Sequence, residues 1–190
     1  MNTLRTLAIG TVLAVATLTV AQALPISPTS PFLVMTGDQA TPANPRGVPA
    51  IVSEIEEFLN IDITEQYKQD LQPSAESGSF AGSYQTSLSP NGDESGGTIT
   101  YTGGSILTGN IYLLIKDGDS DPSFYLFNIT GWNGTETITL ANFWAGDNGS
   151  ISHLSLYTAP STSVPDGGVT VALLGLALTG LGAARRYLKS

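Results

Sequence analysis

The chain has no cysteine and a single histidine in 190 residues. The first absence excludes a disulfide framework, a thiolate metal site and a cysteine nucleophile together. The second excludes a multi-histidine metal centre and leaves His153 as the one side chain whose unperturbed pKa lies near neutrality. Charge is also scarce, at 12% of residues, and 7 basic against 16 acidic side chains leave a net −9. That balance excludes an ordinary nucleic-acid binder, which needs a basic footprint to displace counterions from phosphate. Between residues 24 and 163 only Arg46, Lys68 and Lys116 stand against fifteen carboxylates. What the chain does have is 21 Gly, 11 Pro and many Ser and Thr, a β-rich, turn-rich composition in a length that suits one domain.

Both ends read as addresses. Arg5 precedes an uncharged run at 7–20, and Ala21-Gln22-Ala23 offers the small-x-small pattern of a signal peptidase site. The run is shorter than the about 20 residues a membrane span needs, and Pro25 follows at once. Residues 1–23 are therefore expected to be a cleaved signal peptide. At the other end Val164-Pro165-Asp166-Gly167-Gly168 precedes an uncharged, mostly apolar stretch at 169–184, and Arg185, Arg186 and Lys189 close the chain around Tyr187. As a helix that stretch is roughly 24 Å long against a hydrocarbon core of about 30 Å. Tyr187 and snorkelling arginines can make up the difference at the interface. The basic end belongs in the cytoplasm, with the body outside. Gly175, Gly180 and Gly182 give the stretch a small-residue face, but a plain single anchor is the simpler reading.

The order of motif, apolar stretch and basic end resembles the sorting signal of PEP-CTERM proteins, most closely its VPDSG-type variant. Gly167 stands where the variant has serine. The resemblance implies recognition by an exosortase, a membrane-embedded processing enzyme of Gram-negative bacteria that make extracellular polysaccharide, with cleavage at or near 164–168. Segments 78–84, 114–118, 125–127, 132–136, 143–144 and 151–157 resemble a body recurrent among such sorted proteins, which supports the fold, carries no catalytic assignment and leaves function open.

The body is expected at 51–163, after a Pro-rich extended segment at 24–50 that holds at most a short edge strand at 32–35. Ser53 and Glu56 have the spacing of a capping box, and Ile51, Ile55, Phe58 and Leu59 follow helical period, with Glu54, Glu56 and Glu57 in the first turn. A second short helical turn is expected at 64–71, pairing Tyr67 with Leu71. From Gly78 the period becomes two. Strands are expected at 79–87, 97–101, 110–116, 123–130, 136–141 and 150–157, bounded by turn residues such as Asn133-Gly134. Eleven of fifteen aromatics fall between Phe80 and Tyr157, so the core belongs there. The 110–116 and 123–130 strands are apolar on both faces and should be central, whereas those holding Ile138/Leu140 and Leu154/Leu156 should be one-sided. The fold class expected is mainly β: an antiparallel β-sandwich with one short accessory helix.

Candidate chemistry is thin. Asp117, Asp119 and Asp121 invite calcium, but the sixth and twelfth positions of an EF-hand loop would fall on Pro122 and Asn128, so a solvated turn is the preferred reading. No other cofactor is suggested. No nucleophile motif accompanies His153, which is read as structural and bonded across strands. Trp132 and Trp144 are loop aromatics placed either to stack on sugar rings or to plug the sandwich. Asp93, Glu94, Glu136 and Asp147 are the carboxylates from which a glycosidase pair would be drawn. The sequons at Asn128, Asn133 and Asn148 are read as turn composition. The overall expectation is a non-enzymatic exported protein of the cell surface or exopolysaccharide matrix. Its partners would be signal peptidase, exosortase, the membrane through its tail, and exopolysaccharide. A glycan-binding module and a polysaccharide hydrolase are the rivals.

Overall fold

The computed structural model describes residues 22–71, 74–89, 95–145 and 149–160. Ala21, the sorting motif Val164–Gly168, the basic end Arg185, Arg186 and Lys189, and the carboxylates Asp93, Glu94 and Asp147 lie outside the described residues, as does the expected transmembrane stretch. No helix among the described residues is long and apolar enough to cross a membrane.

The described elements run β1 (Leu24–Ile26), β2 (Leu33–Thr36), a 3-10 turn at Gly37–Gln39, α1 (Val48–Leu59), β3 (Thr64–Leu71), β4 (Ser74–Ser77), β5 (Tyr84–Leu88), β6 (Gly97–Tyr101), β7 (Asn110–Lys116), β8 (Phe124–Asn128), β9 (Ile138–Leu140) and β10 (His153–Ala159). They form two sheets. The smaller has the order β1-β9-β6-β5, antiparallel except for the parallel β1–β9 pair. The larger has the order β2-β8-β7-β10-β3-β4 and is antiparallel throughout. Ile26, Tyr84, Ile99 and Ile138 of the first sheet share a buried cluster with Tyr67, Leu113, Ile115, Phe127, Leu154 and Leu156 of the second. This is the interior of a β-sandwich. A second cluster lies on the outer face of the six-stranded sheet, where Ile51 and Ile55 of α1 cover Tyr112, Leu114, Leu126 and Tyr157.

Several expectations change. The 24–50 segment carries β1 and β2, one at an edge of each sheet. Pro25 sits within β1, where an edge strand tolerates a missing N–H, and Pro49 sits in the first turn of α1, where that N–H has no helical partner anyway. The helix therefore starts earlier than the Ser53–Glu56 spacing indicates. Gly47 is its N-cap and no acidic residue lies in its first turn. Ser53 is mid-helix, and its hydroxyl donates to the Pro49 carbonyl at 3.0 Å. Asn60, left-handed at φ 53°, ends it.

The expected helical turn at 64–71 is strand β3. Its Tyr67 and Gln69 are both buried and alternate with partly exposed neighbours. Gln69 hides this period because it is polar, yet its amide donates to the Asp70 carbonyl (2.7 Å), Ser74 Oγ (3.2 Å) and the Ala75 carbonyl (3.3 Å). The expected strand at 79–87 shortens to β5, because Gly78 turns the chain from one sheet to the other. Its φ is +100°, and a Cβ there would strike the Gln66 carbonyl. Finally, β10 is buried on both faces, since it lies between β7 and β3.

Candidate functional site

Register brings Lys116 of β7, His153 of β10 and Asp70 of β3 into one row across three strands. Alternation along β10 then sends His153, Ser155 and Tyr157 to the outer face, opposite Leu154 and Leu156. A register shift between Leu156 and Tyr157 places Glu65 opposite Tyr157. The side chains form a chain of contacts. His153 Nδ1 lies 2.7 Å from Asp70 Oδ1, and His153 Nε2 lies 2.9 Å from Ser155 Oγ. Ser155 Oγ and the Tyr157 hydroxyl both donate to Glu65 Oε2, at 3.3 and 3.4 Å. Lys68 Nζ pairs with Asp70 Oδ2 at 2.8 Å.

Burial pulls the His153 pKa below its ordinary value, with the hydrogen bond and charge of Asp70 opposing. A neutral ring whose Nδ1–H donates to the carboxylate leaves Nε2 as an acceptor, so the single Ser155 proton serves either Nε2 or Glu65 Oε2. At Asp70 burial works upward, but hydrogen bonds from Lys68 and His153 outweigh it and hold the carboxyl below its usual value. Burial, then Glu65, pushes the Tyr157 hydroxyl up. Burial likewise lowers the Lys116 ammonium, against the pull of Asp117.

Serine, histidine and aspartate here stand in the order of nucleophile, base and orienting acid. Exposure runs the wrong way for that use. Ser155 is 0% exposed, while the Asp70 side chain at the far end is 38% exposed. A substrate meets no surface of the serine. The arrangement instead ties β3 to β10 and satisfies buried polar groups, consistent with His153 as a cross-strand structural histidine. Sequence reasoning overlooked Ser155, although an i,i+2 pair on a strand shares a face and the spacing was readable. Asp70 was beyond reach, because its segment reads as helical.

The aspartates between β7 and β8 do not form a uniformly solvated turn. Asp117 is buried; its carboxylate accepts from the Asp119 amide (3.3 Å), the Ser120 hydroxyl and the Ser150 amide (3.0 Å). Asp121, by contrast, pairs with Arg46 at 3.1 Å, and Arg46 also donates to the Ser120 carbonyl at 2.6 Å. Among the described residues no three His, Cys, Asp or Glu side chains are placed to hold a metal ion.

Trp132 and Trp144 are both buried, at 7% and 4% exposure. Trp132 donates to the Glu136 carbonyl (2.9 Å) and packs on Tyr84; Trp144 donates to the Pro122 carbonyl (2.8 Å) and packs on Tyr125 and Phe143. Neither ring offers a face to a sugar. They plug the sandwich.

Beyond β10, residues 163–188 match the family model for the VPDSG-CTERM motif. The chain carries a VPDSG-CTERM sorting signal. The VPDSG-CTERM match begins four residues after Ala159, the last residue of β10. The signal implies processing by an exosortase, and export to the cell surface or beyond. No curated protein and no solved structure matches the chain.

Proposed function

We propose that the protein is a non-enzymatic component of the cell surface or exopolysaccharide matrix. In this reading it is exported behind a signal peptide at 1–23, held in the membrane by 169–184 with its basic end inside, and released by exosortase cleavage near 164–168. The VPDSG-CTERM match is the observation that carries this reading. The low, acidic charge of the body suits an extracellular protein that stays soluble without gripping nucleic acid. Support for a non-enzymatic role comes from the burial of Ser155, the one hydroxyl hydrogen-bonded to His153 among the described residues. The burial of both tryptophans weakens the glycan-binding rival.

Intact-mass analysis of protein released from the surface of the native host tests the proposal. The expected product starts near Leu24 and lacks 169–190. Recovery of the complete C-terminus in that fraction would overturn it.

A further inference from the structure

The outer faces of the two sheets differ. That of the six-stranded sheet lies under α1, whereas the four-stranded sheet turns no buried side chain outward among the described residues. Alternation decides what this bare face carries. Ile26, Ile138, Ile99 and Tyr84 point into the core, so their strand neighbours point out. Register sets Pro25 of β1, Thr139 of β9, Thr98 of β6 and Ser87 of β5 in one row across the sheet. Thr100 and Gln85 stand opposite each other in a second row.

None of these side chains is charged, and none of the polar ones has a hydrogen-bond partner among the described residues. On the inner side of β5, by contrast, the Thr86 hydroxyl lies 2.9 Å from that of Tyr67. The bare face is thus an array of hydroxyls and one amide with its bonding left to water.

Size and charge restrict what such a face can hold. Two rows over four strands cover roughly 200 Å² by strand geometry, against about 800 Å² per partner in a stable protein interface, which excludes a dimer held by this face alone. The charges closest to it in sequence, Asp93, Glu94 and Glu136, are all acidic. With Arg46, Lys68 and Lys116 the only bases between residues 24 and 163, an anionic polymer is repelled.

We propose that this face binds a neutral, extended polysaccharide laid along the rows, across the strands. Strands repeat at ~4.8 Å, close to the advance per sugar ring in an extended β-linked chain, so Thr139, Thr98 and Ser87 meet successive rings. Each contact exchanges water for a sugar hydroxyl at small net gain. With both tryptophans buried, no ring stacking adds to it. Retention therefore comes from repetition, because a polymer offers many equivalent sites. Such binding rests on the export of the protein to the matrix, as read above, and gives it a ligand class there.

Native gels containing hydroxyethylcellulose (neutral) or carboxymethylcellulose (anionic) test this on the full-length protein in detergent micelles. The expected result is slowing by hydroxyethylcellulose, relative to a plain gel and a non-binding marker, and none by carboxymethylcellulose. Thr98→Val combined with Thr139→Val keeps the side-chain shape without the hydroxyls and should abolish the slowing. Thr98→Ser with Thr139→Ser should retain it. Ser87→Ala, on the exposed edge strand, should weaken it with little risk to the fold. Equal slowing of wild type and all three variants, slowing by carboxymethylcellulose as well, or no slowing at all overturns the assignment. The matrix reading is judged separately, by the intact mass of released protein. Correct processing without slowing overturns the ligand alone.

Discussion

On the inner face of the six-stranded sheet, Leu113, Ile115, Leu154 and Leu156 are wholly buried against the second sheet. On the outer face of the same strands, Leu114 and Tyr157 lie under α1, and Lys116, His153 and Ser155 are almost as deeply buried although polar. The inner face is stabilised by removing apolar area from water, a term indifferent to protonation. Beside the apolar cluster under α1, the His153 row of the outer face is held by hydrogen bonds among ionisable groups, which stabilise only while every partner is in place and in the right charge state. Depth of burial alone does not separate the two; chemistry does.

The largest expected effect breaks the inner face. Leu113→Ala should cost about 2–5 kcal/mol, the range for truncating a buried leucine, read as a shift in urea midpoint. His153→Ala should cost less, about 1–3 kcal/mol, because it leaves Ser155 and Asp70 without their partner. A greater loss at His153 than at Leu113 would reverse the comparison.

Acid sharpens it further. The folded His153 pKa lies below its ordinary 6.5, so as pH falls the unfolded chain takes up the proton first. Stability is then fully present above about pH 6.5 and is lost as pH falls toward the folded value. Asp70, held below its ordinary 3.8, adds a separate loss in more acid solution, as the pH falls through its own folded value. Because the chain has one histidine, His153→Ala should flatten the first slope, and it should weaken the second, since Asp70 then keeps only Lys68 as a partner. Urea melts at about pH 7.5 and about pH 5.5 would show whether the first slope survives the substitution. Smallest of all should be Glu57→Ala, on the exposed face of α1, at under about 0.5 kcal/mol by the same melts.

How much of this was legible in the sequence follows the same division. Strands β6 and β7 fall where period-two patterning puts them, 97–101 and 110–116, because Ile99 and the Ile111–Ile115 run announce their burial by being apolar. β3 was misread, because Gln69, Lys68 and Asp70 occupy a strand whose partners make polar side chains acceptable, and those partners are distant in sequence. The His153–Asp70 contact joins residues 83 apart. α1 began earlier than expected because Pro49 reads as a breaker until its position in the first turn is known. The tryptophans sat in loops by sequence, yet loops that fold back over a sandwich end bury what they carry. The VPDSG-CTERM motif was legible from residue order alone, since it is a linear pattern that does not depend on contacts distant in sequence.

The position of β10 has a mechanical consequence. It runs into the sorting signal from the interior of the sheet, paired along its length with β7 and β3 on its two sides. Ladder hydrogen bonds between antiparallel strands lie perpendicular to the strand axis. A pull on the chain at Pro160 directed along β10 therefore loads both ladders in shear, all bonds at once, rather than peeling them one at a time. Any load entering the body through the chain that follows β10 would be borne by this twin seam.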